Sequence, residues 1–139
     1  MISDHPLFLK LLSLNLPVED YAIFGSAPMF ARGLKDLGHD LDVVVCREAW
    51  ERAKTFGPVE YLEIGHIPVV QLFDRQLELG NGWFMGGWTA EEIVDSAEVI
   101  EGFKFATLDK VLTYKKLFGR PKDLEHIKII EEYLAKGGK

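Results

Sequence analysis

The sequence predicts an α/β fold of the α+β type, in which a mixed β-sheet is flanked by helices. Short apolar and β-branched runs alternate with segments in which apolar residues recur every three to four positions. These segments do not follow the strict strand–helix–strand rhythm of a purely parallel sheet. The chain has 139 residues, of which 47% are hydrophobic, so we expect one domain over residues 1–139 and no second core.

In the first half of the chain, helical patterns alternate with short strand patterns. Pro17 ends the first helical pattern, and Gly25-Ser26 separates a buried strand from the next helix, with Ser26 as the candidate N-cap. The strand after that helix is the best defined, because an uninterrupted apolar run follows Asp42. The predicted elements are a helix over residues 5–15, a strand over 21–24, a helix over 27–37, a strand over 41–46 and a helix over 47–56.

The second half begins with three strand-like runs that are separated by turn residues, which predicts a meander of hairpins. Thr89 and Glu92 have the spacing of a capping box, and Thr107 is expected to cap a later helix. A break at Gly119-Arg120-Pro121 divides the last helical region. The predicted elements are strands over residues 59–64, 67–73 and 76–79, a helix over 89–96, a small ribbon around residues 99 and 103, and helices over 107–118 and 122–135.

Composition excludes several classes of function. Sixteen Lys and Arg residues against 22 Asp and Glu give a net charge of −6, which argues against duplex nucleic acid as a partner, since duplex binding needs a basic face. The single cysteine, Cys46, excludes an internal disulfide framework and a multi-cysteine zinc site. No apolar run approaches the roughly 18 residues of a membrane span, and Asp4 stands where a signal peptide would carry positive charge. We therefore expect a cytoplasmic protein without a membrane partner.

Two acids, Asp40 and Asp42, stand two residues apart where a buried strand begins. At this spacing both side chains leave the strand on the same face, where their charges repel each other unless a cation lies between them. Magnesium is the natural candidate, because it takes oxygen ligands and completes its coordination with waters and substrate phosphates. The alternative is that Asp40 only ends a turn and Asp42 is an exposed strand start.

Gly25-Ser26 lies between a buried strand and a predicted helix start, where free amides and the helix dipole favour a phosphate. Glycine allows close approach of the backbone, and the Ser26 hydroxyl adds one donor. A Gly-Ser pair alone is a common turn. Together with the two acids on the next strand, it predicts a phosphate-binding turn and a pair of metal-binding carboxylates at one end of neighbouring strands.

A third acid is available at Glu78, which leucines flank on both sides. On a strand it extends opposite to those leucines and could join the other carboxylates across the sheet, although an ordinary edge strand would show the same pattern. Asp74 lies in a predicted turn, where its side chain would be used locally. We therefore predict that Asp40, Asp42 and Glu78 converge on one pocket and that Asp74 lies outside it.

Three basic residues near the C-terminus are candidates for anion binding. Lys115 falls on the core-facing stripe of its predicted helix, where a lysine usually extends to a rim but could instead contact a phosphate. Arg120 and Lys122 bracket a proline at a helix start and could face the same anion. Alternatively, they form a solvated basic turn that pairs with neighbouring acids such as Asp123.

Aromatic residues and histidines give weaker signals. Trp83 and Trp88 lie in a glycine-rich stretch and could stack on a nucleobase or form a packed loop cover. The histidines lack the mutual spacing of metal ligands, so we expect them on the surface or in turns. They are His5, His39, His66 and His126.

Several segments between about residue 20 and residue 134 share the pattern of a known family. They are Phe24-Gly25-Ser26-Ala27-Pro28, Arg32-Gly33-Leu34, Asp40-Leu41-Asp42-Val43-Val44-Val45, Leu77-Glu78-Leu79, Ile100-Glu101-Gly102-Phe103-Lys104-Phe105, and the run from Tyr114 to Asp123. Together they resemble the nucleotidyltransferase superfamily related to DNA polymerase beta. Within it, the chain is most similar to the small prokaryotic proteins grouped with lincosamide nucleotidyltransferases and with the nucleotidyltransferase partners of toxin–antitoxin systems.

This resemblance implies a nucleotidyltransferase fold and a metal-dependent enzyme. Such an enzyme uses Mg²⁺ or Mn²⁺ to move a nucleoside monophosphate from an NTP to an acceptor hydroxyl, with release of pyrophosphate. The implied catalytic and metal-binding residues are Asp40, Asp42 and Glu78. The resemblance also implies that Gly25-Ser26 is the turn that contacts phosphate. Together with the three basic residues described above, the candidate nucleotide-binding residues are Gly25, Ser26, Lys115, Arg120 and Lys122.

A catalytically silent NTP-binding protein or antitoxin-like partner is the alternative to an active enzyme. The acceptor, a protein or a small molecule, is not specified by these residues. Because a chain of 139 residues leaves little surface for a large acceptor, a homodimer or a partner subunit could complete the cleft. A polymerase is not expected, since the chain is too short and too acidic to hold a long duplex.

Overall fold

A computed structural model describes residues 2–138, so residues 1 and 139 of the predicted domain lie outside the described part of the chain. The strands within this range are β1 (Tyr21–Ile23), β2 (Leu41–Val45), β3 (Val59–Tyr61), β4 (Pro68–Leu72), β5 (Leu77–Gly80), β6 (Glu98–Ile100) and β7 (Phe103–Phe105). The α-helices are α1 (Pro6–Ser13), α2 (Ala27–Ala31), α3 (Arg47–Phe56), α4 (Ala90–Asp95), α5 (Leu108–Phe118) and α6 (Pro121–Ala135). Within residues 2–138, no helix has the length and apolar character needed to cross a bilayer.

The described strands form one seven-stranded sheet in the order β3-β4-β5-β2-β1-β7-β6. Strands β3, β4 and β5 form the predicted antiparallel meander, and β6 pairs antiparallel with β7. Strand β2 is parallel to β5 and antiparallel to β1, whereas β1 is parallel to β7. Because both pairing modes occur and helices cover the sheet, the predicted α+β class is confirmed.

Side chains alternate along the central strands and divide the core into two layers. On one face, leucines and valines pack with apolar residues of α1 and α3; they are Leu41, Val43, Val45, Leu77 and Leu79. Val44 faces the other side, where it joins the core that α4, α5 and α6 cover. Since neighbouring residues of a strand alternate between faces, Asp42 and Glu78 extend from this second face. The fold therefore directs both acids to the side of the sheet that carries α5 and α6.

Helix α2 is shorter than the sequence predicts, because it ends at Ala31 rather than near residue 37. Gly33 has a φ of 74° and its amide donates to the Phe30 carbonyl, while the Leu34 amide donates to the Met29 carbonyl. These two bonds form a Schellman motif, which terminates a helix at a left-handed glycine. The segment between Gly33 and Asp40, which was predicted to be partly helical, is therefore irregular.

Two predicted helix caps have different outcomes. The Thr89 hydroxyl accepts from the Glu92 amide, and the Glu92 carboxylate accepts from the Thr89 amide, so the predicted capping box is present. Thr107 precedes α5 as expected, but its hydroxyl makes no capping bond. Among residues 2–138, its oxygen is one of two buried side-chain polar atoms without a hydrogen-bond partner. The turn before α5 is therefore held by packing rather than by a side-chain cap.

Replacement of Phe8 by alanine tests how α1 contributes to the core. Phe8 is fully buried, and its ring lies 4.9 Å from the ring of Phe103 on β7. We expect Phe8→Ala to lower the free energy of unfolding by about 3–5 kcal/mol, because it removes apolar contacts and leaves a cavity. The neighbouring Leu9, which is 52% exposed, provides the control: Leu9→Ala should cost less than about 1 kcal/mol. If urea unfolding gave the same loss of unfolding free energy for the two variants, this packing would be contradicted.

Candidate active site

A cleft of about 490 Å³ opens on the second face of the sheet. Four parts of the chain enclose it: the turn after β1, the segment that leads into β2, the loop after β5, and the region where α5 meets α6. Its acidic, basic and histidine lining residues are Lys35, Asp40, Asp42, Arg120, Lys122 and His126. The cleft therefore combines carboxylates and cations, which is the combination expected for a ligand that carries both phosphate and metal.

Asp42 and Glu78 are direct neighbours across the parallel pair of β2 and β5. Their carboxyl groups are close enough to share a hydrogen bond, and Glu78 Oε1 also accepts from Gln71 Nε2 at 2.7 Å. Burial raises the pKa of Asp42 well above its usual value, and the negative charges of Glu78 and Asp40 raise it further. Without a ligand, a shared proton relieves this repulsion; a bound cation would relieve it in another way.

The other two predicted acids lie in different surroundings. Asp40 is exposed and lines the cleft beside Asp42, just before β2 begins. Asp74 is exposed in the turn between β4 and β5, away from the residues that form the cleft. Asp40 and Glu78 are thus both neighbours of Asp42, and Asp74 lies outside the cleft, but Glu78 is not among the residues that line it. Within residues 2–138, however, no three His, Cys, Asp or Glu side chains are arranged as a ready-made metal site.

The turn after β1 packs directly on Asp42. The Phe24 amide donates to the Asp42 carbonyl at 2.8 Å, and Gly25 follows with a φ of 65°. A Cβ atom at Gly25 would lie 2.8 Å from Asp42 Oδ2, closer than a carbon and an oxygen can approach without displacement. The residue at this position must therefore be glycine, both for its left-handed backbone and for its contact with the acid.

Ser26 occupies the predicted N-cap position of α2, but its hydroxyl makes no capping bond. The hydroxyl oxygen instead accepts from Lys115 Nζ at 3.1 Å. The five residues of α2 also give this helix only a small dipole, so the helix itself adds little attraction for an anion. What the turn offers to an anion is the serine hydroxyl and nearby backbone amides.

Lys115 does not extend to a rim, because its side chain is fully enclosed between α5, α6 and the turn after β1. Its ammonium group forms an ion pair with Asp123, at 3.4 Å from Oδ1, and donates to His126 Nδ1 at 3.0 Å. Burial lowers the pKa of Lys115 to about 8, although the charge of Asp123 opposes this shift. Lys115 therefore contacts two residues that line the cleft, Ser26 and His126, rather than lining it itself. Its predicted contact with a nucleotide stays a prediction.

Asp123 holds the basic wall of the cleft together. Its buried carboxylate accepts from the Arg120 amide at 3.0 Å and from the Arg120 guanidinium at 2.7 and 3.0 Å. Burial alone would raise the pKa of Asp123, but the bonds from Arg120 and the charge of Lys115 outweigh it and lower the pKa to about 2. Arg120 thus makes the intrachain pair that the sequence left as an alternative, and it lines the cleft as well. Lys122 is exposed and also lines the cleft.

Sequence reasoning missed three residues that line the cleft: Lys35, Tyr114 and His126. His126 was expected on the surface, yet it follows Asp123 by one helical turn, and this helical spacing from a buried acid could have identified it. Tyr114 is buried and its hydroxyl contacts Ser26. Lys35 lies in the irregular segment after α2, where no periodic pattern marks it.

An aromatic cluster closes the cleft on the side of the loop after β5. The ring of Trp83 stacks on Phe24, with centroids 4.4 Å apart and planes 11° from parallel, and it also contacts Tyr114. Trp83 and Phe84 line the cleft, whereas Trp88 is not among its lining residues and has its ring centroid 6.1 Å from that of Phe24. Trp83 therefore acts as a packed cover and also presents an aromatic surface to the cleft.

Comparison with known proteins supports the fold. The chain superposes on a crystal structure from Thermotoga maritima, named a "putative nucleotidyltransferase", with a TM-score of 0.58 over 95% of each chain and 17% sequence identity. No protein-family model and no curated protein matches this sequence. At this level of identity, the similarity establishes the architecture alone. The chain has the nucleotidyltransferase fold, as the resemblance of its motifs implied; the narrower grouping with lincosamide and toxin–antitoxin proteins stays a prediction.

Two glycine variants test the close contact between the turn and the acid. Gly25 and Gly33 both have left-handed backbones, with φ values of 65° and 74°, but a Cβ at Gly33 would meet no atom within 4 Å. We expect Gly33→Ala to cost about 1–2 kcal/mol of unfolding free energy from backbone strain alone. Gly25→Ala should cost clearly more, because it must also displace the Asp42 carboxylate. Equal costs in urea unfolding would show that the turn can move away from Asp42 freely.

Asp123 and Lys115 form a buried ion pair whose coupling can be measured at pH 7. We expect Asp123→Asn to lower the free energy of unfolding by about 3–5 kcal/mol, because it leaves the Lys115 ammonium buried without a countercharge. The double variant Asp123→Asn/Lys115→Met should recover part of this loss, since it removes the orphaned charge. The exposed Glu125→Gln provides a control on the same helix and should cost little. A double variant no more stable than Asp123→Asn would contradict the pairing.

Proposed function

We propose that this protein is a metal-dependent nucleotidyltransferase, which moves a nucleoside monophosphate from an NTP to an acceptor hydroxyl and releases pyrophosphate. The observation that carries the proposal is the direct packing of the Gly25-Ser26 turn on Asp42. A hydroxyl and backbone amides, which would suit a phosphate, thereby lie next to carboxylates that repel each other. Both lie in one cleft of a nucleotidyltransferase fold.

The charges of the cleft are complementary to an NTP that carries a divalent cation. Asp40 and Asp42 supply negative charge, whereas Lys35, Arg120 and Lys122 supply positive charge. Phosphate oxygens would bind the cationic side, where guanidinium and ammonium groups make charge-assisted hydrogen bonds. The volume of about 490 Å³ lies within the range of ligand pockets, which is roughly 300–1,000 Å³.

The acids fit a hard divalent cation, because Mg²⁺ is typically bound by one or two carboxylates together with substrate phosphates. Asp40 and Asp42 would hold it at the edge of the cleft, and Glu78 would support Asp42 from the neighbouring strand. Bound there, Mg²⁺ or Mn²⁺ would neutralise charge on the transferring and leaving oxygens. Burial raises the pKa of Asp42 most, and the charges of Glu78 and Asp40 raise it further; this crowding of negative charge favours a cation.

The remaining residues have roles in the transfer itself. The acceptor hydroxyl oxygen forms a bond to the α-phosphorus, the bond from that phosphorus to the β-phosphate oxygen breaks, and pyrophosphate leaves with the electron pair. Glu78, next to Asp42 on the neighbouring strand, would serve as a metal ligand or as the general base that takes the proton of the acceptor hydroxyl. Gly25 and Ser26 would contact the β- and γ-phosphates and hold the leaving group.

The proposal extends to the setting of the enzyme. We propose a cytoplasmic protein of the small lincosamide or toxin–antitoxin type, on the strength of the motifs shared with that group. Its acceptor would be a hydroxyl of a protein or of a small molecule. A second copy or a partner subunit would complete the acceptor side of the cleft.

Removal of the central carboxylate tests metal-dependent binding. We expect Asp42→Asn to weaken the binding of a non-hydrolysable NTP with Mg²⁺ by at least about 100-fold, measured by calorimetry. Thermal stability should hold or rise, because the change removes repulsion with Asp40 and Glu78. Asp74→Asn, in an exposed turn, is the matched control and should bind like the wild type. A large loss of stability with unchanged binding would make Asp42 a structural acid instead.

Radiolabelled NTP with Mg²⁺ and candidate acceptors tests the reaction. Transfer of label to an acceptor, with release of pyrophosphate, supports the enzyme. A wild-type protein that binds NTP but releases no pyrophosphate with any acceptor would instead be a silent NTP-binding protein. A wild-type protein that shows no heat of binding with any NTP and Mg²⁺ would overturn the proposal entirely.

A further inference from the structure

The ammonium group of Lys115 is surrounded by three polar partners. Ser26 Oγ lies at 3.1 Å, His126 Nδ1 at 3.0 Å and Asp123 Oδ1 at 3.4 Å, and the lysine side chain has no exposed surface. An ammonium group has three N–H donors and no acceptor. Each of its hydrogens is therefore directed at a group of the protein, and none is left to bind a ligand in the cleft.

The hydrogen bonds from Lys115 determine which atoms of Ser26 and His126 accept and which can still donate. Because Lys115 can only donate, Ser26 Oγ accepts from it, and the hydrogen of Ser26 is left to be donated either to the buried Tyr114 hydroxyl or to a ligand. Likewise, His126 Nδ1 accepts from Lys115, so the proton of the neutral ring is on Nε2. Since Ser26 and His126 both line the cleft, each can present one hydrogen to a ligand there.

His126 is held neutral by its surroundings. Burial lowers its pKa, and the positive charges of Lys115 and Lys35 lower it further, whereas Asp123 and Glu125 act in the opposite direction. A neutral ring whose Nδ1 accepts a hydrogen bond exists as one tautomer rather than a mixture. The cationic groups Arg120 and Lys122 line the same cleft, so the ligand that these donors suit is an anion.

We propose that Lys115 is a positioning residue, which orients the Ser26 hydroxyl and the His126 Nε2–H as two donors for a phosphate group. On this assignment, Asp123 supplies the countercharge that keeps Lys115 buried, and Lys115 makes no phosphate contact of its own. His126 is then a phosphate-binding residue beside Ser26. The identity of the anion as the phosphate chain of an NTP rests on the proposed function, whereas the orientation of the donors does not.

Histidine side-chain ¹⁵N NMR of the ligand-free protein tests the orientation without any nucleotide. In the wild type at pH 7, we expect His126 to carry its proton on Nε2 and to have an unprotonated Nδ1. Lys115→Met should give a mixture of tautomers and a higher pKa of His126, because the donor and its charge are removed. Protonation on Nδ1 in the wild type, or an unchanged His126 signal and pKa in Lys115→Met, would overturn the proposal.

Calorimetry with a non-hydrolysable NTP and Mg²⁺ tests the consequence for binding. Ser26→Ala and His126→Phe, at two partly exposed positions, should each weaken binding about tenfold or more, as the loss of a hydrogen bond to a charged group does. Lys115→Met should weaken binding in the wild-type background but change it little when added to Ser26→Ala/His126→Phe. The exposed Lys116, which pairs with Glu131 at 3.2 Å, gives the control Lys116→Met, which should bind normally.

The outcomes separate this inference from the proposed function. Wild-type protein that binds the nucleotide while Ser26→Ala and His126→Phe bind equally well would overturn the inference alone. An undiminished effect of Lys115→Met in the Ser26→Ala/His126→Phe background would show that Lys115 binds phosphate itself. Wild-type protein that binds no nucleotide would overturn the proposed function and, with it, the assignment of phosphate. If Lys115→Met does not fold, the wild-type tautomer and the Ser26 and His126 variants still decide the proposal.

Discussion

The candidate site depends on the contact between Gly25, which has no side chain, and the carboxylate of Asp42. Antiparallel pairing of β1 with β2 brings Gly25 against Asp42, and the Phe24 amide fixes the approach through its bond to the Asp42 carbonyl. A Cβ at Gly25 would lie 2.8 Å from Asp42 Oδ2, so any other residue would push the turn and the acid apart. The distance between the Gly25-Ser26 turn and the Asp42 carboxylate is therefore set by the backbone of the sheet.

The opposite wall of the cleft is organised by a second buried carboxylate. Asp123 accepts from the backbone and guanidinium of Arg120 and pairs with Lys115, so one acid on α6 holds two cations on two elements. Its own charge is fully compensated, as its pKa of about 2 indicates. Asp42 is the reverse case, because Glu78 and Asp40 surround it with like charge. This contrast distinguishes an acid whose charge is compensated within the protein from one that is crowded by like charge.

Several features of the site could be predicted from short-range patterns. The leucines beside Glu78 and the valines after Asp42 direct the two acids to one face, because strand side chains alternate. The turn position of Asp74 and the capping box of Thr89 are likewise local. The predicted length of α2 was wrong because Gly33 ended the helix. Ser26 does occupy the predicted N-cap position, but its hydroxyl accepts from Lys115 and makes no capping bond.

The sequence by itself determined the fold class, the strand that carries Asp42, the face shared with Glu78 and the glycine turn before them. Local spacing encodes these features, since alternation, capping and turn chemistry involve neighbours in the chain. Only the tertiary structure decided that Lys115 is buried, that His126 and Lys35 join the cleft, and that β5 pairs with β2. The bond from Lys115 to Ser26 spans 89 residues, and no local pattern specifies which distant group a helix face will meet. The packing of α5 and α6 on the sheet determines which group Lys115 contacts.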